Sequence, residues 1–188
     1  MKTMHKLRGY QFLFEELVKR DFKKKYKRTI LGVAWSVLSP LLMLLVMKLV
    51  FTHFFGRTIP HYTIYLFCGN LIFTYFSEAT KEGMNSLMGN AKIFTKANVP
   101  KYLFLFSKNV QTFLNFLITL VVFFAFCVFD HIVFTWKFLL LLYPTCLLLL
   151  FNIGVGLVLS ALFVFFRDIQ YLWSVFTRLL MYMSAIFY

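Results

Sequence analysis

From Asn109 to Phe129 the chain reads NVQTFLNFLITLVVFFAFCVF, twenty-one residues without a charge. Ile30–Met47 is a second uncharged run, broken only at Lys48. A helix needs about 20 mostly apolar residues to cross about 30 Å of hydrocarbon. Runs of that length leave few alternatives. A transmembrane β-barrel would use segments of about 10 residues alternating apolar with polar, and these do not alternate. The composition points the same way: 61% of the 188 residues are hydrophobic and 14% charged, against about 45–50% and about 25% in soluble domains. The fold class is all-α, a polytopic membrane helical bundle.

Five spans are expected, at about 30–55, 61–77, 103–129, 137–166 and 171–188. Residues 1–29 form a separate N-terminal segment. Pro40 lies inside the first span, where a kink is tolerated if neighbouring helices satisfy the freed carbonyl. The second span is expected to continue as a helix to about Met88, because Glu78, Lys81 and Glu82 are spaced to pair one turn apart. Trp136–Phe166 is long enough for a span and an interfacial lead-in. The chain stops at Tyr188 in an apolar stretch, an odd place for a complete protein, so a truncated chain is expected.

The net charge of +13 is not spread evenly. Ten of the twenty Lys and Arg precede the first span, and RDFKKKYKR at residues 20–28 abuts it directly. A basic cluster against a span is first an orientation signal and a magnet for anionic headgroups. This argues against nucleic acid as a partner. Lys and Arg flank one side of the expected spans sixteen to two, so the N-terminus is cytoplasmic and odd-numbered spans run outward. Tyr10, Phe14, Leu17, Val18, Phe22 and Tyr26 recur at helical spacing among charged residues, giving a basic amphipathic helix over 10–28. The residues leave open whether it lies in the membrane interface among lipid headgroups or packs on another cytosolic surface.

Nothing in the chain is an enzyme site. The phosphate-cradling GxxxxGK[ST] loop is absent, as are HExxH and any arguable Ser-His-Asp set; no catalytic residue, metal ligand or bound cofactor is expected. Cys68, Cys127 and Cys146 fall in apolar runs and read as small buried hydrophobes. His53, His61 and His131 map to the outer side without a ligand pattern, and His5 to the N-terminal segment. Arg178, mid-way through WSVFTRLLMYMSAIF, is expensive at a helix centre and is expected to face a bundle interior or a polar path; Lys48 is near enough to the outer end to snorkel. Trp35, Trp136 and Trp173 lie near span ends, as an interfacial belt requires. Gly154, Gly156, Ser160 and Ala161 form a small-residue stripe suited to close helix packing. The abundant aromatic residues fit lipid contact, helix packing or the lining of a sugar path. The basic segment 89–102, GNAKIFTKANVPKY, is either an amphipathic connector or a docking element for a soluble partner.

Several motifs, in this order, resemble the transmembrane subunits of ABC-2 type polysaccharide exporters, which move lipid-linked O-antigen, capsule polymers or teichoic acid. The first is Tyr26, Thr29, Leu31-Gly32, Trp35 and Pro40; the second is NVPKYL at 98–103; the third is FFRDIQYLWSVFTRLLMYMSAIFY at 165–188, with Ala185 where many members have Pro and hence a softer helix break. The resemblance covers essentially the whole chain and makes 30–188 the transmembrane domain. It implies six spans, of which this chain would lack the last, and a homodimer in the bacterial cytoplasmic membrane, served by two copies of a separate ABC ATPase that binds ATP and Mg. It implies that Arg20, Lys23, Lys24, Tyr26, Lys27, Arg28, Trp35 and Arg178 meet a lipid-linked glycan on its way in and across. It also implies that Lys92, Ile93, Phe94, Lys96, Asn98, Val99, Pro100 and Lys101 belong to the coupling segment that seats in the ATPase. The other readings are an ABC-2 permease for a drug or lipid, and a membrane scaffold that transports nothing.

Overall fold

The structure is a computed structural model that describes residues 2–26, 32–55, 61–94, 99–132, 134–184 and 186. Side chains at 2–9, 24–26, 33, 51–55, 92, 94 and 137 fall outside that description. Among the described residues there is no strand. Seven helices follow in order: α1 (Lys2–Tyr26), α2 (Trp35–Phe55), α3 (Tyr62–Asn85), α4 (Ala91–Phe94), α5 (Tyr102–Phe129), α6 (Leu142–Phe165) and α7 (Ile169–Met183).

The apolar runs become helices close to where hydropathy puts them. Helix α5 and the stretch Phe138–Phe165 are each long and apolar enough to cross a membrane, and Trp35–Val50 of α2 is a shorter apolar helix. The lead-in to α6 is a 3-10 turn, Trp136–Leu141. Helix α3 extends past the second expected span to Asn85 and passes into a 3-10 turn at Met88–Asn90. Of its charges, Glu82 does not pair along the helix as expected. The Glu82 carboxylate instead accepts from Lys108 of α5 at 2.9 Å, because a partly buried cross-helix partner gains more than a solvent-screened one a turn away. Helix α1 begins well before residue 10, since Lys, Met, Leu and Arg in its first turns are good helix formers.

Helix ends are closed locally. Helix α5 stops in a Schellman motif: His131 takes φ 56°, its N–H reaches the Val128 carbonyl at 3.1 Å, and the Ile132 N–H reaches Cys127 at 3.0 Å. Histidine here fills the left-handed position that glycine usually takes. Helix α7 ends at Met183, with Ser184 in extended backbone, one residue short of the position where a softer break was expected.

Helix α3 is the centre of the bundle and packs against α2, α5, α6 and α7. One core joins Leu44 of α2 to Phe67, Leu71 and Tyr75 of α3 and to Phe116 and Phe123 of α5. Tyr75 and Phe116 have ring centroids 4.6 Å apart. On the opposite face of α3, Met84 packs with Leu159 and Phe163 of α6. Gly83 and Gly156 bring the backbones of α3 and α6 together, so that a Cβ on Gly83 would meet the Gly156 Cα at 3.0 Å. The small-residue stripe is thus half used: Gly156 and Ser160 are buried, whereas Gly154 and Ala161 face outward. Large apolar side chains are left uncovered on α2, α5, α6 and α7, as lipid-facing surfaces require. The cysteines are free, and Cys146 is exposed where a buried position was expected; it lies on the outward face of α6.

Candidate functional site

Polar residues recur at helical spacing inside the apolar helices. Asn70, Thr74 and Glu78 stand at i, i+4 and i+8 on α3; Thr112, Asn115 and Thr119 stand at i, i+3 and i+7 on α5. These spacings put each set on one face of its helix. The two faces meet across a cavity of about 630 Å³ that α2 closes with Ser36, Ser39 and Pro40. Rings of Trp35, Phe67, Tyr75 and Phe116 complete its wall. No Lys or Arg is among the described residues lining it.

In hydrocarbon such a cavity has a clear meaning. Thr112 Oγ1 donates to the Lys108 and Asn109 carbonyls and Thr119 Oγ1 to that of Asn115, so these hydroxyls are held by their own helix and offer their oxygens to the cavity as acceptors, which suits water or a ligand rich in hydroxyls. The rings offer faces for the C–H side of the same ligand. The wall thus mixes polar atoms with a larger apolar surface, and its charged side chain among the described lining is Glu78. Trp35 and Pro40 are the residues here that sequence motifs had marked. The others went unmarked although their signal was legible: hydroxyl and amide side chains repeating every three or four residues within a span.

A second cluster joins α1 to the end of the bundle where α3 finishes and α5 begins. Asp21 is only 4% exposed. Its Oδ1 accepts from Arg20 Nε at 2.9 Å and Nη2 at 2.7 Å, and its Oδ2 lies 3.5 Å from Lys108 Nζ. Lys108 also donates to Glu82. Arg20 Nη2 donates at 2.7 Å to Asn90 Oδ1, whose own amide donates to the Ser86 carbonyl at 2.8 Å. Two cations and two carboxylates balance, which is the condition under which a buried carboxylate is tolerated. The apolar face of α1, with Leu17 buried, packs on α5. At the far end of the bundle, His61 Nδ1 pairs with Asp130 Oδ2 and ties the start of α3 to the end of α5.

The residues marked from sequence are therefore dispersed. Arg20 is engaged by Asp21 and Asn90, and Lys23 is exposed. The side chains of Lys24 and Tyr26, and all of Lys27 and Arg28, lie outside the described residues. In the segment after α3, Ile93, Val99 and Pro100 are half-buried and Lys101 is exposed. The side chains of Lys92 and Phe94, and residues Lys96 and Asn98, lie outside the description. Arg178 does not face the interior of this bundle. It is exposed, because α7 turns Trp173 and Thr177 inward instead. Trp173 is half-buried, and its Nε1 donates to the buried Thr80 Oγ1 of α3 at 3.1 Å. Trp136, by contrast, is 86% exposed.

Known proteins share this sequence across its length. An O-antigen export system permease protein RfbA of Klebsiella pneumoniae is 30% identical over 185 residues, covering 96% of this chain and 70% of the relative. An RfbA of Myxococcus xanthus is 27% identical over 188 residues, covering all of this chain and 72% of the relative. The capsule polysaccharide export inner-membrane protein CtrC of Neisseria meningitidis is 23% identical over 197 residues, covering all of this chain and 74% of the relative. The sequence pattern of the ABC-2 type transporter matches residues 13–188. An all-α bundle with membrane-length apolar helices, matched from near its start to its last residue, belongs to the ABC-2 type transporter family.

Proposed function

We propose that this chain is the permease subunit of an ATP-driven exporter that moves a lipid-linked polysaccharide from the cytoplasmic side of a bacterial inner membrane to the outside. The observation that carries the substrate class is the cavity between α2, α3 and α5. Its hydroxyl and amide stripes and its aromatic faces suit the polar edges and the C–H faces of a glycan. The names of the relatives, O-antigen and capsule polysaccharide export proteins, support the same class.

The division of labour follows from charge. The basic helix α1, Lys23 included, concentrates an anionic lipid head at the cytoplasmic leaflet by long-range attraction. The neutral sugar portion then enters the polar cavity. ATP and Mg are handled by a separate ABC ATPase, in two copies against two copies of this chain, seated on the segment from α4 to Lys101. Nucleotide binding biases the permease between two arrangements. Arg178, exposed on the single chain, is placed by this reading on a surface that the second copy covers.

The test is co-expression of the full-length gene with its ATPase subunit in a strain that makes the polymer. Val99→Asp and Phe94→Asp are expected to stop the ATPase from co-purifying and to abolish surface polymer, with the permease still present in the membrane. An ATPase that never co-purifies with the unmodified chain, together with surface polymer unaffected by both substitutions, would sink the reading.

A further inference from the structure

Asp21 is an unusual residue to find on the buried side of a membrane-surface helix. The other inward positions of α1 are apolar, and an acid among them adds nothing to lipid contact. It sits where three parts of the chain converge: its own helix through Arg20, α5 through Lys108, and the turn after α3 through the Arg20–Asn90 bond. Lys108 in turn holds Glu82 near the end of α3. Asn90 is the last residue before α4, and it is fixed to Ser86 by a buried bond. Any displacement of the α4 turn relative to α1 must therefore stretch the charge-assisted bond from Arg20 to Asn90, and Asp21 holds that arginine in place through two further bonds. Such bonds are short, directional and roughly twice as strong as neutral ones.

We propose that Asp21 is a positioning residue that makes α1 and the turn leading into α4 move as one body, so that an ATPase acting on the α4 segment moves the basic helix with it. The inference rests on the docking reading of that segment and deepens it by naming the transmission element. The substrate-gathering helix is thereby driven by the nucleotide cycle. Leu17 supplies grip on α5, whereas the ion cluster supplies direction, because only the cluster reaches across to the α3–α5 connection. Residues far apart in sequence become one mechanical unit through a side chain shared between two carboxylates and another shared between a carboxylate and an amide.

The experiment uses the full-length chain in complex with its ATPase, purified into lipid nanodiscs. The native cysteines are replaced, and a spin label or fluorophore is placed through Phe12→Cys, an exposed position on α1. Addition of ATP, Mg and vanadate is expected to shift the label's signal in the otherwise unmodified complex. Asp21→Asn is expected to cut that shift and surface export by about tenfold, within the usual span of coupling between sites, with ATP hydrolysis retained. Asp21→Glu, which keeps the charge, is expected to keep the shift. Asn90→Ala, which severs only one arm and leaves the buried carboxylate paired, serves if Asp21→Asn fails to accumulate, and is expected to weaken the shift at constant hydrolysis. A full shift in Asp21→Asn or in Asn90→Ala overturns the proposal. So does a proportional loss of hydrolysis, shift and protein level, which marks a purely structural role. Failure of the unmodified chain to bind the ATPase overturns the docking reading beneath it instead.

Discussion

The contact between Gly83 and Gly156 can be tested by adding a single carbon. A Cβ on Gly83 would sit 3.0 Å from the Gly156 Cα, and that Cα is backbone that cannot rotate away. A Cβ on Gly156 would meet the Gly83 Cα at the less severe distance of 3.4 Å, with the movable Leu105 Cδ1 at 3.6 Å. A Cβ on Gly154 would meet nothing within 4 Å. All three glycines are helical, so each Gly→Ala change gains about 1 kcal/mol of helix propensity. Forcing a methyl into a filled contact costs about 1–3 kcal/mol. Gly154→Ala is then expected to stabilise by up to about 1 kcal/mol, Gly83→Ala to destabilise by about 0–2 kcal/mol, and Gly156→Ala to fall between. The assay is thermal unfolding of the three variants in the same detergent. The gap of about 1–3 kcal/mol between the two extremes corresponds to roughly 2–12 °C in midpoint for a chain of this size. Equal midpoints for Gly83→Ala and Gly154→Ala would refute the close approach of α3 and α6, and with it the packing role of the glycine pair.

Trp173→Phe removes the donor to Thr80 while keeping a ring beside Phe76 and Phe176; a loss of about 1 kcal/mol in detergent unfolding is expected, with a larger loss for Trp173→Ala. Thr74→Phe fills the cavity and is expected to reduce surface polymer at unchanged membrane level, whereas Leu150→Phe on the outward face of α6 leaves export intact; equal export from the two would argue against the cavity as the route. Arg178→Leu, measured as surface polymer with expression matched, is expected to lower export, and unchanged export would remove the residue from the mechanism.

Secondary structure was largely legible because hydrocarbon is an unforgiving solvent. Every backbone group must be bonded within the helix, so the uncharged run after Lys108 had one way to fold, and α5 begins and ends within a residue of expectation. The 3-10 lead-in at Trp136–Leu141 was visible as surplus length. Tertiary placement was less legible because it depends on which face turns inward. Trp173 near a span end fitted a belt, but its indole N–H found Thr80 on another helix. Arg178 fitted an interior position by cost alone, yet α7 directs Thr177 inward and carries its neighbour around to the outside. The cavity stripes were written in the spacing of Thr112, Asn115 and Thr119, a pattern masked by the many aromatic residues around them. The Asp21 cluster had no local signature: Arg20 read as a contact for the lipid-linked glycan, Glu82 as a partner along its own helix, Lys108 as a flanking charge and Asn90 as part of the basic segment after α3, until the fold brings them together.

That separation along the chain also sets a schedule. Lys108 follows Asp21 by 87 residues, and synthesis proceeds at about 5–20 residues per second, so the partner of Asp21 is made roughly 4–17 s after it. Until then Asp21 has Arg20 beside it on α1 but not the lysine from α5. The cluster closes once α3 and α5 have both been inserted in the right orientation, since either helix reversed would carry its charges to the opposite face. With α5 reversed, Asp21 keeps Arg20 as its partner, but α1 loses the ion pair that ties it to α5.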